Sequence, residues 1–269
     1  MFLNFTPKKK KVLLIFINIF ICVAIILLVS PLVSCGASGT VDEMKIATDS
    51  KKLMVGSDTT YKPFEFKEDG NVEGFDIDIA REIAKRMDKE IEIISITWDS
   101  TYQIPEDLKL DMIISAVPIT DEKENLVDFS SPYFVMEYML VTLSETDIKI
   151  KEDLNGKAIG ILKTEKNCLS EDYLLNYKIE SYDDILTMFD NLRNKNVDGV
   201  LISLPIGVNM LPGNKGIYIV LEVVKSNKEF GIVFTKGSAL KEEVNRILEE
   251  IKEDGTYDDI YNKWFNYNF

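Results

Sequence analysis

A carboxylate and a run of aromatic side chains stand together where an apolar strand ends. Gly56-Ser57-Asp58 follows Leu53-Met54-Val55, and Tyr61, Pro63, Phe64 and Phe66 come directly after. Rings held on a loop at the carboxyl end of a strand, beside a carboxylate, are how open α/β sheets build small-molecule sites. The same spacing also fits an ordinary strand–loop–helix whose aromatics fill a core. Other chemistry is constrained more sharply. The 269 residues include no histidine. That removes the usual general base, most zinc and copper sites, and Ser-His or Cys-His nucleophile pairs. No cofactor and no metal is expected, and an enzyme would have to run on carboxylates, lysine or tyrosine. The formal charge of −14 argues against nucleic acid as a partner, since such proteins need a basic face.

The elements that must position these groups alternate. Periodicity predicts strands over 53–55, 90–96, 112–116, 157–162 and 197–203. Helices are predicted over 76–87, near 98–108, near 170–177, over 182–193 and over 240–251, with a tail helix after Gly255. The first helix follows Gly74. Phe75, Ile79, Ile83, Ala84 and Met87 form its inner face, with Asp76 and Asp78 in its first turn, where acids suit the helix dipole. Tyr257, Ile260, Tyr261 and Trp264 recur at helical spacing in the tail and read as packing rather than ligand contacts. Alternating β and α elements predict mostly parallel sheets with flanking helices, an α/β fold. We expect two lobes, the first from 51–140 plus 232–269 and the second from 141–231. The apolar segments 138–143 and 217–224 would be the two crossover strands of a hinge.

The amino terminus bears on where the protein works. Lys8-Lys9-Lys10-Lys11 precedes an apolar run over residues 12–29 that ends at Leu32-Val33-Ser34-Cys35. A basic region followed by a hydrophobic one is a secretory signal pattern. The last four residues resemble the lipobox of bacterial lipoproteins, which implies cleavage after residue 34 and acylation (palmitate among the chains) of Cys35. A plain transmembrane anchor is the alternative, because the run approaches the ~18–20 residues that span a bilayer. Residues 1–34 are thus expected to be a signal peptide and 35–50 a flexible linker. Either way the remainder is expected outside the cytoplasmic membrane and tethered to its outer face. Of the three cysteines, Cys22 lies in the leader and Cys35 at the lipid site, so Cys168 has no internal partner for a disulfide.

Further motifs place the chain in a family. Trp98-Asp99-Ser100, Asp111-Met112-Ile113-Ile114-Ser115, Ile119-Thr120, Val127-Asp128-Phe129-Ser130-Ser131-Pro132-Tyr133, Leu154-Asn155-Gly156-Lys157 and the stretch from Glu253-Asp254-Gly255 to Trp264-Phe265 follow in order. With the opening segment they resemble the extracytoplasmic solute-binding proteins of the amino-acid (family 3) type, which serve ABC importers. The resemblance covers nearly all of the chain after residue 50. It implies a two-lobe periplasmic-binding-protein-like fold (type II), a small-molecule ligand between the lobes, an ABC permease as partner, and a monomer.

The resemblance also implies site residues. Asp58, Tyr61 and Trp98 match first-lobe positions lining the pocket: the two rings would flank the ligand and Asp58 would meet a cationic group. Ser115, Ala116 and Val117 match a strand end whose backbone faces the ligand. Where the family has a Ser or Thr and then an Arg that clamps the ligand's carboxylate, this chain has Pro118 and Lys123. Proline offers neither N–H nor hydroxyl, and lysine lacks the bidentate fork. The family's Gly-Thr-Thr turn is matched by Thr164-Glu165-Lys166, and the Asp that receives an α-ammonium is matched by Ser203. Glu165 could replace that Asp if it points into the cleft; otherwise Glu165, Lys166 and Lys123 are solvated surface charges. Two further readings remain on this scaffold. One is a sensory or surface-interaction lipoprotein without transport. The other is a carboxylate-based enzyme using Asp58 and Glu165, one of them with a raised pKa.

Overall fold

The computed structural model describes residues 51–97, 104 and 106–265. The leader, the proposed lipid site and Trp98 lie outside them. Strand β1 (Lys52–Ser57) leads into a small antiparallel sheet of β2 (Thr60–Tyr61), β3 (Glu65–Glu68) and β4 (Asn71–Glu73). Asp69 and Gly70 turn the hairpin between β3 and β4, both at positive φ (50° and 82°), as a tight hairpin requires. Helix α1 (Phe75–Arg86) follows, then β5 (Glu90–Ser95) and β6 (Met112–Ile113). Next come the short helix α2 (Asp121–Glu124), β7 (Asp128–Phe129), and the long β8 (Phe134–Leu143).

A second α/β unit continues with β9 (Ala158–Leu162), α3 (Glu171–Leu174), β10 (Lys178–Tyr182), α4 (Ile185–Arg193), β11 (Gly199–Ser203) and α5 (Leu204–Met210). Strand β12 (Tyr218–Phe230) runs back along β8, and β13 (Val233–Phe234), α6 (Leu240–Glu253) and α7 (Thr256–Phe265) close the described chain. Two five-stranded sheets result, in the orders β5-β1-β6-β13-β7 and β10-β9-β11-β8-β12.

The α/β architecture is as expected, with sheets that are mixed. In each, one strand runs against the others: β13 is antiparallel to β6 and β7, and β8 is antiparallel to β11 and β12. Both reversed strands follow a connection that passes between the sheets rather than through a crossover helix, so chain order alone does not dictate their direction. Strand β8 pairs with β11 only over Tyr138–Val141, whereas its pairing with β12 begins at Phe134. Residues around 134–137 and 225–230 therefore form a two-stranded ribbon extending from the second sheet, whereas 138–143 and 217–224, expected as the crossovers, pair within that sheet because β11 extends it there. The ribbon reaches the first unit through a bridge between Pro118 and Phe230 and the bond from Ile119 N–H to Glu229 O (2.9 Å).

Local signals explain most of the elements. Phe75, Ile79, Ile83 and Ala84 are buried on the inner face of α1, and its first free N–H groups are capped by loop carbonyls. Phe75 N–H donates to Pro63 O and Asp76 N–H to Phe64 O, each at 2.9 Å. Helix α4 starts at Ile185 rather than 182 because Asp184 caps it, accepting from Thr187 N–H at 2.8 Å. The preceding Lys178–Tyr182 is an edge strand, exposed or half-buried throughout, so it lacks the apolar alternation that would mark it. The strand expected over 112–116 stops at Ile113, and Ala116 takes a positive φ of 44°, which ends strand geometry. Of the helix expected near 98–108, the described part is a single 3-10 turn, Glu106–Leu108.

An aromatic nest sits at the foot of the ribbon. Phe64 lies 4.9 Å from Phe134, 5.5 Å from Phe230 and 5.3 Å from Phe265, and Phe75 packs edge-on against Tyr257 and Tyr261. Offset and edge-to-face ring pairs of this kind add about 0.5–1.5 kcal/mol each beyond burial. The tail-helix aromatics pack, as their spacing predicts.

Candidate ligand-binding site

The loop aromatics divide by depth. Phe64 and Phe66 are buried in the core, whereas Tyr61 remains 40% exposed. Only Tyr61 of these rings is available to a ligand; the other two anchor the loop. Asp58 is half-buried. Its N–H donates to Ser115 Oγ (3.0 Å), and Oδ1 accepts from Thr60 Oγ1 at 2.5 Å. The loop after β1 is thereby tied to the loop after β6, as two neighbouring parallel strands allow.

Ser115, Ala116 and Val117 all lie at that second loop and are buried. Three of their polar groups have partners within the protein. Ser115 Oγ donates to Glu65 Oε1 (2.9 Å), Ala116 N–H donates to Asp76 Oδ2 (2.7 Å), and Val117 O accepts from Gly231 N–H (3.1 Å). Glu65 and Asp76 are thus the polar residues on which this part of the site is built. Sequence reading placed Asp76 only in a helix first turn and passed over Glu65; the carboxylate inside the apolar run Pro63–Phe66 was the signal.

Lys123 is 8% exposed, so it is not a solvated surface charge. Its Nζ donates to Pro118 O at 3.1 Å, and its N–H reaches the capping Thr120 Oγ1. Burial pushes its ammonium pKa down and the nearby Lys228 lowers it further, with Glu122 opposing. Two cations, Lys123 and Lys228, therefore sit within electrostatic reach at the end of the ribbon.

On the second unit, Thr164 and Lys166 are exposed while Glu165 is half-buried, one of its oxygens (Oε2) fully covered and receiving no hydrogen bond among the described residues. Burial raises the Glu165 pKa; a hydrogen bond from Ser203 and the charge of Lys228 oppose the rise. Ser203, 3% exposed, stands at the start of α5. Glu165 also acts electrostatically on Tyr61 and on Tyr138, and burial raises both phenols. The structure thus brings Tyr61, Glu165, Ser203, Tyr138 and Lys228 into one neighbourhood from both units. Tyr138, on β8, and Lys228, on β12, were not anticipated from sequence. Cys168 is half-buried and hydrogen-bonded to Tyr138.

What gathers here is a half-exposed tyrosine, an under-satisfied carboxylate and lysines. Such a set suits reversible capture of a small polar molecule. Residues 53–267 match the family described as bacterial extracellular solute-binding proteins, family 3. The chain belongs to that family. This solute-binding protein is 31% identical to the ABC transporter arginine-binding protein 1 of Escherichia coli (strain K12), a match covering 81% of this chain and 93% of the relative. It is 28% identical to the arginine-binding extracellular protein ArtP of Bacillus subtilis (strain 168), covering 87% and 92%. Among solved structures it resembles an ancestral cationic amino acid solute binding protein, with 31% identity, a TM-score of 0.60, and coverage of 84% of this chain and all of that one.

Proposed function

We propose that this extracytoplasmic solute-binding protein is the receptor of an ABC importer for an amino acid or an amino-acid-like solute, and that it closes on the solute by hinge motion. The lobes are 51–140 with 232–269, and 141–231, joined by the ribbon. The solute sits against Tyr61 and Trp98, with Asp58, Ser115, Ala116, Val117, Lys123, Thr164, Glu165, Lys166 and Ser203 around it. Cys35 carries the lipid that moors the receptor beside its permease; more than one acyl chain is needed for firm attachment.

The observation that carries this reading is Glu165. A carboxylate with one buried oxygen and, among the described residues, no hydrogen bond to that oxygen leaves a desolvation cost that a ligand cation would offset. It stands where Ser203 replaces the acid expected from the family. The relatives' ligands, arginine among them, carry such cationic groups. Ligand contact with both lobes stabilises the closed form by its differential affinity for it.

A thermal-shift screen tests this, using L-arginine, L-lysine, L-glutamine, agmatine (arginine without its carboxylate) and small dicarboxylic acids. A true solute at about 100 times its Kd adds about 2.7 kcal/mol of stability, read as a rise of roughly 5–10 °C for a chain of this size. Absence of any shift across amino acids and amines alike would refute the reading. A shift with agmatine as large as with arginine would assign recognition to the cation and not to a carboxylate clamp.

A further inference from the structure

Beneath the loop carrying Asp58 and Tyr61 lie two carboxyl groups that solute capture does not itself explain. Glu65, on β3, is 1% exposed and Asp76, in the first turn of α1, is wholly buried. Glu65 Oε1 accepts from Ser115 Oγ, while Asp76 Oδ2 accepts from Ala116 N–H (2.7 Å) and from the Tyr133 hydroxyl (2.9 Å). The two carboxyls also lie close enough to each other to interact directly. Two oxygens are left over, Glu65 Oε2 and Asp76 Oδ1, and among the described residues neither receives a hydrogen from any N–H or O–H donor.

Two bare carboxylates so placed have no hydrogen to put between them. In a dry interior they would repel strongly at contact, and each would keep a desolvated, unsatisfied oxygen. One proton between them removes both costs, leaving a single buried charge in place of two. Which group carries it follows from the donors. Asp76 is offered hydrogens by a backbone amide and a phenol, which favour a carboxylate; Glu65 is offered one serine hydroxyl and faces the negative charges of Asp76 and Asp58. The other titratable groups facing the pair are the phenols of Tyr61, Tyr133 and Tyr257.

We infer that Glu65 and Asp76 share one proton in the folded protein, Glu65 as acid and Asp76 as carboxylate, and that the pair is a positioning element for the floor of the cleft. The acid's carbonyl oxygen accepts from Ser115, whose Oγ in turn accepts from Asp58 N–H. The carboxylate holds Ala116 N–H while Ala116 keeps a φ of 44°, a conformation that costs a non-glycine residue energy and needs such anchoring. Asp58 and Ala116 are thereby fixed from below by one protonated pair. Its relevance to capture rests on the solute reading of the cleft; the measurements that test it do not.

Glu65→Gln is the informative variant, because an amide reproduces a neutral acid's donor and acceptor. Carboxyl carbon NMR of the full chain, with the Glu65 signal assigned by its loss in Glu65→Gln, is expected to show a neutral acid through neutral pH. Amide hydrogen exchange at Asp58 and Ala116 is expected to stay within about twofold of wild type in Glu65→Gln and to speed by about tenfold or more in Glu65→Leu. The native state retains a proton that the unfolded chain releases near its ordinary value of 4.5. Wild-type stability should therefore fall relative to Glu65→Gln as pH rises above that value. A Glu65 signal that titrates in the ordinary carboxylate range, or parallel stability–pH curves for wild type and Glu65→Gln, would overturn the inference. Should Glu65→Leu not fold, the NMR and the Glu65→Gln comparison decide alone. Failure of every solute to bind would refute the cleft reading and leave these outcomes intact.

Discussion

At the scale of single residues, the site turns on which charges are buried. Lys123 and Glu165 come from opposite units, and burial moves each toward its neutral form. If Glu165 receives a cationic group, its raised pKa sets a pH dependence. Affinity for L-arginine is full where the carboxylate is ionised and falls as pH drops through that raised value, by up to about tenfold per unit. Calorimetry over pH 5–8 reads this directly, and Glu165→Gln should flatten the profile while weakening binding at neutral pH by about 10–100-fold. An unchanged affinity in Glu165→Gln would remove Glu165 from the site. Lys123 calls for a separate comparison. If it meets a ligand carboxylate, Lys123→Ala should weaken L-arginine binding and leave agmatine binding unchanged. Equal loss for both would show that Lys123 acts only by holding the Pro118 loop.

At the scale of elements, α1 and the loop before it behave as one unit. Gly74 adopts φ 136°, and an added Cβ would stand 2.0 Å from Phe64 O. That carbonyl cannot retreat, because it accepts from Asp76 N–H. Gly74→Ala is therefore expected to cost about 2–4 kcal/mol, seen as a lower urea midpoint with an unchanged slope. A loss below about 0.5 kcal/mol would mean that the loop repacks freely. These elements were largely legible beforehand, since Gly74, the apolar face of α1 and the Asp69-Gly70 turn are local signals. Strand β10 was not: it is a polar edge strand whose partner β9 lies many residues away. The shortened β6 was not either, because Ile114 and Ser115 look like strand residues until Asp76 and Glu65 claim the backbone and hydroxyl beyond them.

At the scale of the whole molecule, the ribbon of β8 and β12 is the mechanical question. It carries a register shift between Lys225 and Glu229. Irregular pairing of this sort bends strands and weakens a ladder locally. With fewer neighbouring strands than the sheets it joins, the ribbon is where bending costs least. Small-angle scattering should accordingly show a smaller radius of gyration once a stabilising solute is added. An unchanged radius in the presence of a solute that raises the melting temperature would exclude hinge closure as the response.

Composition, periodicity and motif order determined the α/β class, the family and the tail-helix packing, because these depend on residue type and near-neighbour spacing. The candidate site was legible only as a set of positions. Asp58, Tyr61, Glu165 and Ser203 were nameable from sequence, but their burial and partners were not. Tertiary structure alone decided that Lys123 is covered, that Phe64 and Phe66 belong to the core, and that Tyr138 and Lys228 stand within electrostatic reach of Glu165. It also brought the buried carboxyls of Glu65 and Asp76 together. The reason is physical: a carboxyl's protonation and a ring's accessibility depend on what lies around them in space. That environment is contributed by segments distant along the chain, to which local sequence carries no reference.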